Sequence, residues 1–418
     1  MGTGPELSRR LGTTDAVVIG LGSMLGAGVF AAFSPAAQAA GAGLLVGLAL
    51  AAVVAYCNAT ASAQLAAQYP VSGGTYVYGR ERLGPWWGFL AGWSFVVGKT
   101  ASCAAMALTF AAYTAPAGWE RPVAVAAVVG LVTVNYRGVT RTARLTRVIV
   151  TGVLVALAVA VTASLVGGDP DPGRLSGWAA PDGGVHGLLQ SAGLLFFAFA
   201  GYARIATMGE EVRDPRRTIP RAIPLALGIA VAVYAVVAVA LLAVLGPDGV
   251  AGSSAPLATA VAGSGWAWAE PVVRVGAAAA SLGALLALIA GVGRTGLAMA
   301  REGDLPRVLA AVHPRFAVPH RAEVALAALV CLLVLTVDLR SAIGFSSFGV
   351  LLYYGVANAA AFTQDRAHRR FPRPLQVLGL LGCLVLAATL PLSAVLGGAA
   401  VVLVGVAYRA ARLRLTPG

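Results

Sequence analysis

Charged residues are scarce in this chain. They make up 11% of its 418 residues, whereas apolar residues make up 58%. An ordinary globular protein carries roughly 25% charged residues, so the composition excludes an ordinary soluble fold. The abundance of Leu, Val and Ala likewise excludes a disordered chain. Because a membrane-crossing helix takes about 20 residues, the apolar content suffices for about twelve spans.

Cysteine and histidine are also scarce, with four of each. The cysteines lie inside apolar stretches, without a C-x-x-C pair or a nearby histidine, so we interpret them as packing residues and predict no metal site. All four histidines fall in predicted loops, which argues against a membrane-embedded enzyme. No G-x-x-x-x-G-K-[ST] motif and no segment long enough for a nucleotide-binding domain are present. Transport driven by ATP hydrolysis within this chain is therefore not expected.

Apolar stretches with helical periodicity run along the whole sequence. They predict twelve spans, at about residues 14–35, 42–65, 85–114, 121–136, 148–166, 187–208, 222–246, 271–298, 322–338, 342–363, 374–391 and 394–410. The start, with Arg9 and Arg10 before an apolar run, imitates a twin-arginine signal peptide. Since many spans follow, we interpret this run as an uncleaved first helix.

Arginine falls mainly on one side of the predicted membrane. Most of the 30 cationic residues lie in the termini and alternate loops, whereas the intervening connections carry only Arg121, Arg174, Arg274 and Arg340. The positive-inside rule then places both termini, residues 1–13 and 411–418, in the cytoplasm, which requires an even number of spans. This pattern explains the net charge of +13 better than a nucleic-acid partner does.

The first and sixth predicted spans contain residues that interrupt helices. Four glycines fall between Gly20 and Gly28, and each costs about 1 kcal/mol of helix propensity relative to alanine. Gly201 marks a second weak point, in the sixth span. Close packing of small residues is the alternative for the first segment. Paired interruptions in two halves, however, indicate an inverted-repeat transporter.

An interrupted helix exposes backbone N–H groups on one side of the break and carbonyls on the other. That polarity suits a zwitterion at the membrane midplane. We expect its carboxylate to accept from the N–H groups of Ala27 and Gly28, and its ammonium to donate to carbonyls near Met24, Phe197 and Ala200. Irregular backbone at this depth has to line a cavity.

Four motifs resemble those of the amino acid-polyamine-organocation (APC) superfamily of permeases, over nearly the whole chain. They are GAGVF in the first span, PVSGGTYVYGRERLGPWWGFLAGW before and in the third, FFAFAGYARIATMGEEVRDPRRTIPRAI in and after the sixth, and GRTGLAMAREGDLP closing the eighth. The resemblance implies an all-α membrane protein of twelve transmembrane helices. Two inverted five-helix repeats, residues 14–166 and 187–363, would have discontinuous helices 1 and 6, followed by two helices at 374–410.

The resemblance also implies secondary amino acid transport by alternating access across a plasma membrane, the inner membrane of a bacterium, without a cofactor. On the family's pattern Gly26, Ala27 and Gly28 hold the substrate carboxylate. Carbonyls for the amino group come from Met24, Phe197 and Ala200. Gly201 is the break in helix 6, and Phe199 and Tyr202 are aromatic gates or pocket walls.

The sequence departs from many relatives at two positions. Ala203 replaces a glutamate that often follows the helix 6 break, and the third span carries Lys99, the one lysine of the chain, where an acidic residue is common. A charge near the bilayer centre costs at least about 2.5 kcal/mol. Lys99 and Arg204 are therefore candidates for coupling transport to protons. Alternatively, Lys99 donates to carbonyls of the broken helices, and Arg204 extends toward the cytoplasmic end.

Sodium coupling is not expected, since the eighth span offers few hydroxyl groups, chiefly Ser281 and Thr295. With two buried cations and no buried carboxylate predicted, a neutral or acidic amino acid is favoured over a cationic one. An amino acid/amine exchanger and a transport-inactive sensor remain alternatives, and a channel is disfavoured because no pore ring is evident. The predicted partners are the substrate and the lipid bilayer; the oligomeric state is not predicted.

Overall fold

The computed structural model describes residues 11–70, 73–138, 143–179, 183–209 and 211–415, and these residues form a helical bundle. Within this part of the chain, β pairing is confined to one isolated parallel bridge between Leu11 and Val212. The helices are α1 Thr13–Met24, α2 Ala27–Ala31, α3 Phe33–Ala40, α4 Leu44–Gln68, α5 Thr75–Leu83, α6 Pro85–Thr114, α7 Glu120–Tyr136, α8 Ala143–Thr162, α9 Gly184–Phe199, α10 Ala203–Ala206, α11 Pro215–Gly252, α12 Pro256–Ala262, α13 Ala269–Arg301, α14 His320–Thr336, α15 Leu339–Phe362, α16 Arg373–Thr389 and α17 Leu392–Leu415.

The twelve predicted spans all coincide with helices of the described residues. Within the described ranges, nine helical segments are long and apolar enough to cross a membrane. The other three predicted spans correspond to α7, α14 and α16, each of 17 residues, which is near the lower limit of about 17 for a spanning helix. The all-α multi-pass membrane fold is thus confirmed. The division into two inverted repeats stays a prediction, and residues 1–10 and 416–418 of the predicted cytoplasmic termini lie outside the described residues.

Several span boundaries differ by a few residues from the sequence prediction, and two of the differences come from a break or kink in the helix. The first predicted span reached residue 35, but α2 ends at Ala31 and a separate helix, α3, follows from Phe33 to Ala40. The seventh was predicted to end at residue 246. At that position Gly246 has a φ of 69°, and the chain resumes helical conformation at Pro247 up to Gly252. The glycine, which tolerates positive φ, thus produces a kink where an end was expected.

Large apolar side chains cover the outside of the bundle. Leu332, Leu381 and Leu403 are all more than half exposed. Water would make such a surface costly, whereas lipid tails cover it at no such cost. The exposed leucines therefore belong to the face that contacts the bilayer.

Asp304, Tyr76 and Arg409 form a buried polar cluster that joins the last helix to the rest of the bundle; we call it the Asp304 cluster. The Asp304 carboxylate lies just beyond α13 and is 7% exposed. It accepts a hydrogen bond of 2.8 Å from the Tyr76 hydroxyl of α5 and pairs with Arg409 of α17. The guanidinium of Arg409 lies 5.1 and 4.9 Å from the ring centres of Trp86 and Phe89. Burial and the adjacent carboxylate raise the pKa of Tyr76.

Candidate substrate site at two interrupted helices

Helix 1 is interrupted where the sequence predicts it. Helix α1 ends at Met24 and α2 begins at Ala27. Between them Leu25 has ψ of 23° and Gly26 has ψ of −136°, both outside the helical range. The break leaves carbonyls at the end of α1 and N–H groups at the start of α2 without the partners that a continuous helix would give them.

Helix 6 changes its winding at the predicted place, but it does not unwind. Helix α9 ends at Phe199, residues Ala200–Tyr202 form a 3₁₀ turn, and α10 continues for four residues. A 3₁₀ turn has poorer hydrogen-bond geometry than an α-helix and often marks a functional hinge. The discontinuity is therefore a tightened turn, and Gly201 is its central residue.

Close backbone contact with helix 1 is the reason for glycine at position 201. A methyl group at Gly201 would collide with the carbonyl group of Ser23 and come within 2.6 Å of the Met24 nitrogen. Similarly, a methyl group at Gly28 would lie 2.6 Å from the Cα atom of Ala198. The two interrupted segments are thus packed backbone to backbone. In this conformation they leave no room at these two contacts for an amino acid, so a substrate would have to separate them.

Three side chains from other helices cover the carbonyls at the two breaks. The Tyr234 hydroxyl of α11 lies 2.6 Å from the carbonyl oxygen of Met24 and 2.9 Å from that of Ala198. The carbonyl of Ala200 accepts from the Tyr354 hydroxyl of α15 at 3.2 Å and from the Lys99 ammonium of α6 at 3.4 Å. The sequence assigns the carbonyls of Met24, Phe197 and Ala200 to a substrate ammonium. These donors contact the carbonyls of Met24 and Ala200, and they contact the carbonyl of Ala198 where that of Phe197 was predicted.

Tyr234 and Tyr354 are the site residues that sequence reasoning missed. Both are fully buried, and each lies within a stretch predicted to span the membrane. A buried tyrosine hydroxyl normally finds a hydrogen-bond partner, and in a membrane the candidates are few. Tyrosines deep in the seventh and tenth spans could therefore have been assigned to the free carbonyls of the breaks.

The predicted aromatic residues pack on these same two tyrosines. The ring of Phe199 lies 5.0 Å from that of Tyr234, and the ring of Tyr202 stacks on Tyr354, also at 5.0 Å between ring centres. Phe196 contacts Tyr354 edge to face. Aromatic pairs at these distances stabilise each other beyond their buried area. Phe199 and Tyr202 therefore form walls around the breaks, together with the tyrosines that cap the carbonyls.

Lys99 lies at the break in helix 6. Its side chain is buried, at 6% exposure, and none of the ion pairs among the described residues includes it. Its hydrogen bond to the Ala200 carbonyl is the contact expected of a lysine that holds the broken helix. The same position next to the break suits a coupling role, and this role stays a prediction.

Arg204 has a different environment. Its guanidinium, 37% exposed, pairs with Glu211 at 3.2 Å and reaches the Thr207 hydroxyl at 3.3 Å. Glu210, which follows Arg204 by six residues in the sequence, lies outside the described residues. The charge of Arg204 is thus paired at the end of the interrupted helix, as the extended-side-chain interpretation has it.

The expectation of no buried carboxylate is wrong. Glu323 is 1% exposed and Asp304 is 7% exposed. Both lie near the ends of apolar stretches, where the sequence suggests exposure, but neighbouring helices cover them. Glu323 accepts from the Asn135 amide of α7 at 2.8 Å, while Asp304 belongs to the Asp304 cluster. Both carboxylates have partners away from the breaks, and neither is in contact with Lys99.

Comparison with known proteins shows which proteins the chain resembles in sequence. A sequence model of a family described as amino acid permease matches residues 11–407. An uncharacterized transporter of Mycobacterium tuberculosis is 64% identical over 411 residues, which cover 98% of this chain and 93% of the relative. The branched-chain amino acid permease of Bacillus subtilis is 25% identical, over 90% of this chain and 85% of its own length. Cationic amino acid transporter 7, chloroplastic, of Arabidopsis thaliana is 28% identical, over 86% and 66% respectively.

Proposed function

The chain belongs to the amino acid permease family, whose members are transporters and not enzymes, and we propose that it moves amino acids by alternating access. The observation that carries this proposal is the direct packing of two interrupted helices, with Gly201 against Ser23 and Gly28 against Ala198. Segments that pack against each other through such backbone contacts can separate and close again around a small solute. When the solute binds, its polar groups replace the contacts that the two segments make in the closed form.

We assign the substrate's carboxylate to the N–H groups of Gly26, Ala27 and Gly28, which the break in helix 1 leaves free. The ammonium group would then donate to the carbonyls of Met24 and Ala200, in place of Tyr234, Tyr354 and Lys99. Exchange of one donor for another keeps these buried carbonyls satisfied, and this matters because an unsatisfied polar group in hydrocarbon costs several kcal/mol.

The substrate class that we propose is a neutral or acidic amino acid. Lys99 places a positive charge on the Ala200 carbonyl, one of the groups that would bind the substrate's ammonium. A second positive charge on the substrate side chain would be repelled at this distance. One relative is named for branched-chain amino acids and another for cationic amino acids. Because these names disagree, we base the proposed substrate class on the charge of Lys99 at the break.

Uptake into proteoliposomes tests this proposal. Radiolabelled alanine is expected to accumulate, and unlabelled alanine or glutamate is expected to compete better than arginine or putrescine. Empty liposomes are the control. Preferential uptake of arginine or putrescine would contradict the proposed substrate class. Binding of alanine without uptake would contradict transport and favour a sensor.

Proton coupling through Lys99 gives a second prediction. The variants Lys99→Met and Lys99→Arg remove the titrating ammonium, the first by removing the charge and the second by fixing it. We expect both to flatten the dependence of alanine uptake on pH, and Lys99→Met to slow uptake at least about tenfold, the effect of about 1.4 kcal/mol. The control is Arg414→Gln, which replaces an exposed arginine of α17, and the pH profile of this variant should match that of the unchanged protein.

An unchanged rate and pH profile in both Lys99 variants would contradict this coupling role. In that case the lysine only holds the Ala200 carbonyl.

We further propose that the protein lies in a plasma membrane with both termini in the cytoplasm. The support is the concentration of arginine in the termini and alternate loops of the sequence.

A further inference from the structure

A hollow of about 230 Å³ lies among connections that the sequence places on the cytoplasmic side, and none of its lining residues belongs to the two breaks. Its walls come from the end of α4, the first turn of α11 and the connection between α15 and α16. The lining residues are Ala67, Gln68, Arg216, Ala367, His368 and Arg370. The hollow therefore joins three parts of the chain that are far apart in sequence.

The lining is positively charged and lacks a counter-charge. Among the described residues, the side chains of Arg216, His368 and Arg370 have no hydrogen-bond or ion-pair partner. The nearest acidic residues in sequence pair with other arginines, Asp365 with Arg82 and Asp214 with Arg217, each at 3.7 Å. Two permanent cations and a histidine thus face one space, without a carboxylate among the lining residues.

Buried glutamines hold the walls in place. The Gln64 side-chain oxygen accepts from the backbone N–H groups of Arg370 and Phe371, at 3.3 and 3.2 Å. The amide of Gln364 donates to the Gln68 side chain at 2.5 Å. Gln64 and Gln364 are fully buried. The connection that carries His368 and Arg370 is therefore fixed on α4, and its cations are presented to the hollow by a defined backbone.

We propose that this hollow binds a phosphate-bearing anion. Guanidinium groups form paired, charge-assisted hydrogen bonds with phosphate oxygens. Arg216 also lies in the first turn of a 38-residue helix, whose N-terminal end favours negative charge. The same chemistry is supplied by the headgroup of an anionic phospholipid and by a soluble phosphate compound, and the face that we place in the cytoplasm gives access to both.

Binding at this place would connect α11 to the α15–α16 connection and to α4. Helix α11 follows the interrupted helix 6 after the short segment 207–214. An anion held by Arg216 and Arg370 would therefore restrain the element that leads out of the second break. The first measurable consequence is a higher stability of the folded chain, because a ligand that binds only the folded state stabilises it.

The experiment measures the thermal unfolding midpoint of the full chain in detergent at constant ionic strength. One arm adds short-chain phosphatidylglycerol, with phosphatidylcholine of the same chain length for comparison. The other arm adds inorganic phosphate, with chloride for comparison. We expect a rise of a few degrees in at least one arm, which is lost in the Arg216→Gln/Arg370→Gln double variant. The matched control is Arg366→Gln, an exposed arginine of the same connection that does not line the hollow.

A rise with phosphatidylglycerol alone identifies a lipid headgroup, and a rise with phosphate identifies a soluble anion. No rise in either arm, or an equal rise in the double variant, overturns the proposal. Should the double variant fail to fold, the two single variants give the same comparison, since both side chains are exposed. The midpoint does not depend on uptake, so this result stands apart from the test of amino acid transport.

Discussion

Replacing Arg409 by glutamine is expected to lower the free energy of unfolding by about 3–5 kcal/mol, the cost of breaking a buried ion pair by removing one partner. The Asp304 carboxylate would then remain buried with Tyr76 and with Arg80, whose guanidinium lies 3.8 Å away. Arg409 also packs on the rings of Trp86 and Phe89, and glutamine would lose that contact. The measurement is the midpoint of unfolding of the purified protein in detergent.

Arg414→Gln is the matched control for this prediction. Arg414 is on the same helix, α17, and is exposed, so its replacement is expected to change the stability by less than about 0.5 kcal/mol. The double variant Asp304→Asn/Arg409→Gln should recover part of the loss, because it removes both charges together. Equal midpoints for Arg409→Gln and Arg414→Gln would mean that the Asp304 cluster does not stabilise the fold.

Replacing Gly201 by alanine is expected to reduce amino acid uptake by about tenfold to a hundredfold. The added methyl group would meet backbone atoms of Ser23 and Met24, which cannot rotate away as a side chain can. Forcing an extra methyl group into a packed contact costs about 1–3 kcal/mol, and each 1.4 kcal/mol corresponds to tenfold. We expect the closed form to be lost while the protein still folds.

Gly228→Ala serves as the control for the Gly201 substitution. Gly228 is exposed within α11, and a methyl group there would meet nothing within 4 Å. Uptake should then match that of the unchanged protein, with equal amounts of each variant reconstituted into liposomes. If Gly201→Ala transports as fast as Gly228→Ala, the contact between the two interrupted helices plays no part in the transport cycle.

The twelve helices and the break in helix 1 could be predicted from sequence because both depend on local composition. Apolar runs of spanning length predict helices in a membrane, and the glycines around Gly26 weaken the helix locally. The 3₁₀ turn at Gly201 could not be predicted in its form, because its geometry follows from contact with Ser23, a residue far away in sequence. Local patterns indicate weak points, while packing decides their conformation.

The charges at the site show the same limit. The sequence identified Lys99 as a cation at depth, and the structure places it on the Ala200 carbonyl. The expectation for buried carboxylates failed, because Glu323 is covered by helices whose arrangement a single sequence does not reveal. Partners such as Asn135 on α7 come from elsewhere in the chain. Residue type thus predicted the candidates, and tertiary contacts determined their environment.

Tyr234 has one hydroxyl proton, yet its oxygen lies within hydrogen-bond distance of two carbonyls, those of Met24 on helix 1 and Ala198 on helix 6. A hydroxyl has only one proton to donate, so the two carbonyl oxygens share it in the closed form. An ammonium group carries three protons, two more than the Tyr234 hydroxyl supplies to these oxygens. Two backbone carbonyls from the two interrupted helices thus converge on a single donor in the resting molecule, next to the place where our proposal puts the substrate's amino group.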